Sequence, residues 1–479
     1  MAYVKACLVV RHGASAAIFG LAWPLRLAVV CLAFLQGAAG NAAAETLTEM
    51  LARVYQNNPQ LNAARAQLRA SDETVPQALS GYRPTLSVGA LAGYNPIKNT
   101  FPDGTQQYAN LRPWMAGVTL TQPLFNGFRT ANTVRQAEAQ VRSGREGLRN
   151  IEQTVFVSAV TAYMNVLADQ TLVEAQRANV TFLRETLEST HKSLDAGNVT
   201  PTDVAQAEAR LARGQSDLNA AEVALAIDQA TYAQVTGAPP GRLALADPAD
   251  RVLPRSRDDA LAISRREHPT IVGASFDIDA AEAAVKVAEG ALLATVNVQA
   301  TASHSSQTDT TFGTSRTDQA AVIGNATVPI YDGGLAAAQV RASKETLGQI
   351  RIVLDQVRLA NDTAVITAWV QNEGAKIAIK AGEAEVRAAT IALAGVQREH
   401  AAGQRTTLEV LNSEQDLLAA KGRLISAQRD RVVASYSLLS AIGRFDRKRL
   451  ELPAPDYDPQ THYTQVRDAW FGLRTPSGQ

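Results

Sequence analysis

The chain has few cysteines, few aromatic residues and, after residue 44, no long apolar run. Its 479 residues include only two cysteines, Cys7 and Cys31, and 5% aromatic residues. Both cysteines precede the expected mature chain, which excludes disulfides and thiol chemistry there. The scarcity of aromatics disfavours a thick globular core and favours long helices that meet through small side chains. No segment after residue 44 has about 18 consecutive apolar residues, so we expect no transmembrane helix.

The charges and the reactive residues indicate neither an enzyme nor a nucleic-acid-binding protein. The 46 basic and 46 acidic residues balance, whereas phosphate binding needs a clustered basic surface. The region around Gly290 does not form a phosphate loop, and no Ser/His/Asp order stands out. Four histidines lack metal-ligand spacing; they are His191, His268, His304 and His462. We therefore expect no enzymatic activity, no cofactor and no metal site.

Residues 1–44 are typical of a signal peptide. A basic segment leads to the apolar run 27–35, and the alanines at 42–44 predict cleavage after Ala44. A membrane anchor is the alternative, but the run is short for a span and small residues follow it. Val30 before Cys31 makes a poor lipoprotein cleavage site, so we expect no lipid anchor of that type.

The rest of the chain contains one pattern written twice. Residues 123–237 align without a gap on 329–443, and the Gly and Pro positions that punctuate the first copy recur in the second. The alignment predicts a first repeat (45–237), an inter-repeat linker (238–257) and a second repeat (258–443). The remaining residues, 444–479, have little periodicity, and we expect an irregular tail.

Each repeat predicts one long helix and two shorter ones. Residues 127–195 contain no proline, which allows a helix of roughly 100 Å at 1.5 Å per residue. The chain then reverses at 195–201 and returns over 202–236. The apolar periodicity of 45–80, broken at Pro59, predicts a helix that stacks end to end on the returning one. The second repeat provides the equivalent segments, which are 333–401, 407–442 and 258–293.

Two pairs of segments alternate in the manner of β-strands. Residues 86–94 and 114–121 flank a loop at 95–111, and 296–302 and 320–328 repeat the arrangement. Lengths near ten residues and small or polar side chains on one face favour membrane strands over a soluble hairpin, which is the alternative. Four strands cannot close a barrel, so eight strands from a dimer or twelve from a trimer would be needed. A soluble periplasmic coiled-coil scaffold or adaptor-like protein without a pore remains the alternative for the whole chain.

The glycine and proline positions and the motifs around them resemble those of the TolC-type outer-membrane channel-tunnels, an outer-membrane efflux protein family. The resemblance rests on NNPQLNAAR at 57–65, QPLFNG at 122–127 and VPIYDGG at 328–334, and covers essentially all of 45–443. It implies a mainly α fold with a small β part: long antiparallel helical hairpins form an α-barrel, and each subunit adds four strands to a shared twelve-stranded transmembrane β-barrel.

The resemblance also implies a homotrimer in the outer membrane that projects into the periplasm. Such a protein is the exit duct of a type I secretion or efflux system, opened by untwisting of periplasmic helix pairs. Its implied partners are a periplasmic adaptor (a membrane fusion protein) and an inner-membrane ABC or proton-driven transporter. Because we expect no lipid anchor, the chain resembles the secretion branch of the family more than the branch with lipid anchors.

The resemblance places functional residues at the two helical turns. Arg405 matches a latch arginine of the closed state, and Asp203, next to Thr202, matches its carboxylate partner. Glu409 and Asn412 match an acidic periplasmic gate, in which Asn412 departs from the second acid. His400 stands where the family often has a latch tyrosine, which puts that contact in doubt.

The same turns match those gripped by family adaptors. The implied adaptor-contact residues are Gly197, Asn198, Val199, Thr200, Gly403, Gln404 and Thr406. A purely structural explanation exists beside each role. The glycines suit the left-handed end of a helix, and acids near a helix start, such as Asp203 and Glu409, favour the helix dipole.

Overall fold

The computed structural model describes residues 44–309 and 313–476 of the chain. The signal peptide expected over 1–44 therefore lies, except for its last residue, outside the described residues. Two helical hairpins extend from one side of a small antiparallel sheet, and shorter helices continue each hairpin toward the sheet. No helix within the described ranges has the length and apolar character that crossing a membrane requires.

The described residues form ten α-helices, and the two long ones have equal length. Helices α4 and α8 contain 67 residues each, and the returning helices α5 and α9 contain 36 and 35. These lengths agree closely with the proline-free segments of the sequence. The bounds are α1 (Leu47–Asn57), α2 (Pro59–Asp72), α3 (Thr74–Leu79), α4 (Arg129–Asp195), α5 (Pro201–Thr236), α6 (Arg257–Glu267), α7 (Pro269–Gly290), α8 (Leu335–Ala401), α9 (Thr407–Ala441) and α10 (Pro459–Val466).

The sheet contains five strands rather than the four expected. They are β1 (Thr85–Ala92), β2 (Asn95–Thr100), β3 (Gln106–Asn126), β4 (Thr295–Asp309) and β5 (Gly313–Thr327). All pairings are antiparallel, in the order β1-β3-β4-β5, and β2 pairs with the part of β3 that extends past β1.

The additional strand corrects the expectation of a loop at 95–111. The chain reverses around Gly104, whose φ of 81° is left-handed, and Phe101 N–H donates to the Thr105 carbonyl at 2.9 Å. The Asp103 carboxylate also accepts from Thr105 N–H at 3.0 Å. Asp and Gly marked the turn in the sequence, but the polar residues on either side hid the two strand segments that it joins.

The strand register separates an apolar face from a polar one. One row across the sheet consists of Leu86, Leu120, Ala300 and Val322, and the next row of the same face consists of Val88, Val118, Ala302 and Ala320. Between them, on the opposite face, lies the row Ser87, Thr119, Thr301 and Ala321. The alternation predicted from the sequence is therefore present, because successive residues of a strand point to opposite faces.

The shorter helices meet end to end in both repeats, as predicted. The Asn58 side chain, which caps α2, donates to the carbonyl of Val235 near the end of α5 at 2.9 Å. In the second repeat, the Ser264 hydroxyl donates to the carbonyl of Ala441, the last residue of α9, at 2.9 Å. Side-chain hydrogen bonds thus join the ends where the backbone ladder stops.

The main hydrophobic core surrounds the junction of the first repeat. Tyr163, Tyr232, Phe156 and Phe445 are fully buried there. The Tyr163 hydroxyl lies 2.8 Å from the Glu45 carbonyl and 2.6 Å from that of Ala244. Large aromatic side chains are concentrated at the joint, whereas α8 buries aliphatic side chains, two asparagines and a glycine.

The expectation of an irregular tail is partly wrong. Residues Pro459–Val466 form α10, which begins with Asp458 as its N-cap and a proline in its first turn. His462 of α10 lies 2.9 Å from the buried carboxylate of Asp72 at the end of α2. The short helix is stabilised by this tertiary contact, which local periodicity over eight residues could not reveal.

We predict that Gly290→Ala destabilises the protein although alanine favours helix. A Cβ at Gly290 would lie 2.4 Å from the Gly127 carbonyl oxygen, where β3 turns into α4. The close approach leaves no room for a methyl group, and we expect a loss of about 1–3 kcal/mol in the free energy of unfolding. Thermal unfolding of the purified protein in detergent measures it.

Gly147→Ala is the matched control, because Gly147 lies inside α4 with open space around its missing Cβ. That substitution should be neutral or stabilising by up to about 1 kcal/mol. Equal thermal midpoints for the two variants would contradict the close packing at Gly290.

Candidate functional site: the turns of the two hairpins

The two helical hairpins end in turns of identical backbone geometry. Gly197 and Gly403 both have a φ of 74°, in the left-handed region. One residue later, Asn198 N–H donates to the Ser193 carbonyl and Gln404 N–H to the Glu399 carbonyl, each at 2.9 Å. This is the Schellman arrangement that ends a helix and satisfies its last carbonyls.

The helix that follows each turn begins with the same capping box. Thr200 N–H donates to the Asp203 carboxylate at 2.9 Å, and Thr406 N–H donates to that of Glu409 at 2.8 Å. Hydrogen bonds from the threonine backbone and hydroxyl lower the pKa of Asp203. At Glu409 the same bonds, together with the Arg405 side chain, lower the pKa to about 2. Both acids are therefore carboxylates at any physiological pH.

Only the second turn carries a cation next to its cap. Arg405 Nε donates to Glu399 at 2.8 Å, and its Nη1 donates to Glu409 at 2.6 Å. These two carboxylates raise the pKa of Arg405. His400 Nδ1 lies 2.9 Å from the Arg405 carbonyl oxygen, so the ring contacts the same turn. The equivalent position of the first turn is Val199.

The structure does not pair Arg405 with Asp203 within one chain. Among the described residues, the ion pairs of Arg405 are those with Glu399 and Glu409, and Asp203 is held by its own cap. Thr202 is exposed in the first turn of α5. The latch role of these three residues stays a prediction.

Hydrogen bonds between the two hairpins come from Arg210, a residue that the sequence analysis did not identify. Arg210 of α5 donates through Nη2 to Asn412 Oδ1 of α9 at 2.8 Å, and through Nη1 to Gln415. Asn412, the departure from a second gate acid, is thus an acceptor for a cation of the other hairpin. No sequence signal identifies Arg210, because its partners lie about two hundred residues away and depend on how two helices are rotated.

The residues expected to contact an adaptor are accessible in this structure. Gly197, Asn198, Thr200, Gly403, Gln404 and Thr406 are exposed, and Val199 is half-buried. Their exposure at the tip of each hairpin agrees with a docking role but is equally expected of any turn. The contact with an adaptor stays a prediction.

The two turns do not form a metal site. No group of His, Cys, Asp and Glu in the part of the chain that the structure describes could hold a metal ion. Three of the histidines named above have carboxylate neighbours instead: His191 with Glu208, His304 with Asp318 and His462 with Asp72.

These features define a subunit of an envelope channel-tunnel: two equal helical hairpins, charged at their tips, below a sheet with one apolar face. A model of the family described as outer membrane efflux protein matches residues 50–238 and 261–444. The chain belongs to the outer membrane efflux protein family, and it is an outer-membrane channel for efflux or secretion.

Individual relatives and a solved structure agree with this assignment. The chain is 42% identical over 445 residues to outer membrane efflux protein BepC of Brucella suis biovar 1, covering 92% of this chain and 94% of BepC. It is 26% identical over 436 residues to outer membrane protein TolC of Vibrio cholerae, covering 86% and 94%. The Campylobacter jejuni CmeC outer membrane channel has the same fold, with a TM-score of 0.72 and 14% identity over 88% of this chain and 89% of that one.

We predict that Glu409→Ala loosens the start of α9. The variant loses the carboxylate that accepts the Thr406 N–H, which is also one of the two carboxylates that hold Arg405. Because the pKa of Glu409 is lowered to about 2, its contribution is complete above its ordinary pKa and disappears as the pH falls through about 2. Losing a helix cap typically costs about 1 kcal/mol. Hydrogen exchange at neutral pH should therefore be several-fold faster at residues 406–411.

Glu383→Ala, which removes an exposed acid from the middle of α8, is the control and should leave exchange at 406–411 unchanged. Equal exchange rates at 406–411 in the two variants would show that the Glu409 side chain does not stabilise the turn.

Proposed function

We propose that three copies of this chain assemble into the exit duct of a type I secretion or efflux system. Twelve helical columns would surround the duct, and twelve long strands would close around it in the outer membrane. The tips of the hairpins would form the periplasmic end, where an adaptor and an inner-membrane ABC or proton-driven transporter engage it.

The sheet supports this proposal most directly. Within the described residues, β1 and β5 are edge strands, each paired on one side only. Long unpaired edges invite further strands, and the apolar face beside them is uncovered: Leu86, Val88 and Val322 are 69%, 77% and 76% exposed. A single copy would leave both features in water, whereas a closed ring in lipid satisfies both.

The helices support a duct of definite length. Helices α4 and α8 have 67 residues each, which is roughly 100 Å. The stacked shorter helices run beside them for a comparable distance. Apolar side chains that are exposed along α8, Ile352, Leu359, Ile377 and Ile391, then become contacts between subunits.

The charged turns support a closed end that can open reversibly. Arg210 joins the two hairpins of one subunit through Asn412 and Gln415, and Arg405 is held by two carboxylates. Arg210 is half-buried and Arg405 is exposed, so water can replace each contact when the hairpins move apart. Arg405, Asp203 and Thr202 form the proposed latch, and Glu409 with Asn412 line the proposed gate.

A pair of substitutions on one strand tests the membrane assignment. Val88→Lys puts a charge on the apolar face, at an expected cost of about 2–4 kcal/mol in a bilayer. Ser87→Lys adds the same charge to the opposite face. We expect Val88→Lys to abolish heat-modifiable trimers in outer-membrane extracts and Ser87→Lys to retain them. A wild-type protein that osmotic shock releases as a monomer would overturn the assembly.

Single-channel conductance tests the gate. We expect Arg210→Ala and Arg405→Ser to increase the conductance of the protein in planar bilayers, because each removes a contact that holds the closed end. Arg213→Ala is the matched control: Arg213 lies one turn along α5 and pairs with Asp217 of its own helix at 3.9 Å. Conductance and cation selectivity that remain at the wild-type values in all three variants would remove both arginines from the gate.

A further inference from the structure

A basic cavity lies far from the hairpin tips, between α2, α4 and the segment that precedes α10. Its volume is about 460 Å³, which is in the range of small-molecule sites. Six basic side chains line it: Arg65, Arg145, Arg149, Arg447, Lys448 and Arg449. Neither the duct nor its gate uses this cavity.

Arg65 is the most deeply buried of these cations, with 8% of its surface exposed. Its Nη1 donates to Asn62 at 2.9 Å, while its Nη2 is buried without a hydrogen-bond partner in the described structure. The guanidinium is 4.4 Å from the centre of the Tyr55 ring and 5.0 Å from that of Tyr457. Two aromatic rings therefore hold the side chain in place but do not satisfy its free donor.

Arg145 also has a donor without a partner. Its Nε is buried and unpaired in the part of the chain that the structure describes, and its guanidinium is 5.1 Å from the centre of the Tyr463 ring. Burying an unsatisfied charged donor is costly unless a ligand pairs with it. Arg65 and Arg145 both line this cavity. Each guanidinium also has one buried donor without a partner among the described residues.

Three of the acids of the cavity are engaged by its other cations. Glu146 pairs with Arg149 at 2.6 Å, and Asp446 lies 3.9 Å from Arg449. Asp456 lies 3.5 Å from Lys448. These acids leave Arg65 and Arg145 without a carboxylate in direct contact.

The fourth acid, Glu152, is largely buried. It accepts the backbone N–H of Arg447 at 2.9 Å, and burial raises its pKa to about 7. The charged groups that act on it are Arg65 of α2, Arg149 of its own helix and Asp446 after α9. Near neutral pH Glu152 therefore neutralises the arginines only in part.

We propose that this cavity binds a small organic anion, whose carboxylate or phosphate oxygens accept hydrogen bonds from Arg65 and Arg145. A guanidinium presents donors in a plane that matches either oxyanion. Because the cavity is much larger than one oxyanion group, the ligand carries further atoms beyond its charged end.

Calorimetric titration of the purified mature protein in detergent, at matched ionic strength, tests the site. Succinate is the carboxylate probe and glycerol phosphate the phosphate probe, and the tighter of the two identifies the preferred group. We expect saturable binding that weakens at least about tenfold in Arg65→Gln and in Arg145→Gln. Arg142→Gln, which removes an exposed cation of α4 outside the cavity, should bind as the wild type does.

The pH dependence gives a second readout. Succinate should bind more tightly near pH 6.5 than near pH 8, because protonation of Glu152 removes a competing negative charge. Glu152→Gln should keep binding and lose this dependence. If Arg65→Gln does not fold, the binding measured for Arg145→Gln and Glu152→Gln still tests the proposal. No saturable binding of either probe, or equal binding by the Arg145 and Arg142 variants, would overturn the proposal.

Discussion

The end-to-end joints of the short helices are the contacts on which the subunit depends. Each column beside α4 and α8 is broken, and a long helix gains most of its stability from what packs along it. At the first joint the Asn58 side chain bonds to the Val235 carbonyl, and at the second Ser264 bonds to Ala441. The large buried aromatic side chains lie at the first joint, whereas α8 packs through smaller side chains. The joint therefore provides the packing that sets the length of the stacked helices.

The sheet imposes a different constraint on the same chain. Two neighbouring rows on one face are apolar, and the row between them on the other face is mostly polar. Within the described residues, its edge strands pair on one side only. A soluble hairpin protein would cover one face with its own core. Here the helices leave the sheet in the direction of its strands and cover neither face. The folded chain is thus built for contacts that lie outside itself, in agreement with its membership of an outer-membrane channel family.

Sequence patterns predicted the long elements well and the isolated contacts poorly. Glycine and proline fix where a helix can end, so both long helices and both turns could be located from punctuation alone. The β2 strand and α10 were missed, because each is short and is stabilised by a neighbour rather than by its own periodicity. Arg210 and Arg65 were missed for a related reason. Their roles depend on the rotation of helices about their axes, which determines partners distant in sequence.

The two turns share one backbone and one cap, yet position 199 is a valine where the equivalent position, 405, is an arginine. Since the threonine and the acid three residues later already cap the start of each helix, the cap does not require a particular side chain just before the threonine. Exchanging it alters the charge at the tip of one hairpin and leaves the capping box in place. The two hairpin tips of one subunit can therefore differ in charge although their backbones match, and the assembly proposed above would present two alternating chemistries at its end.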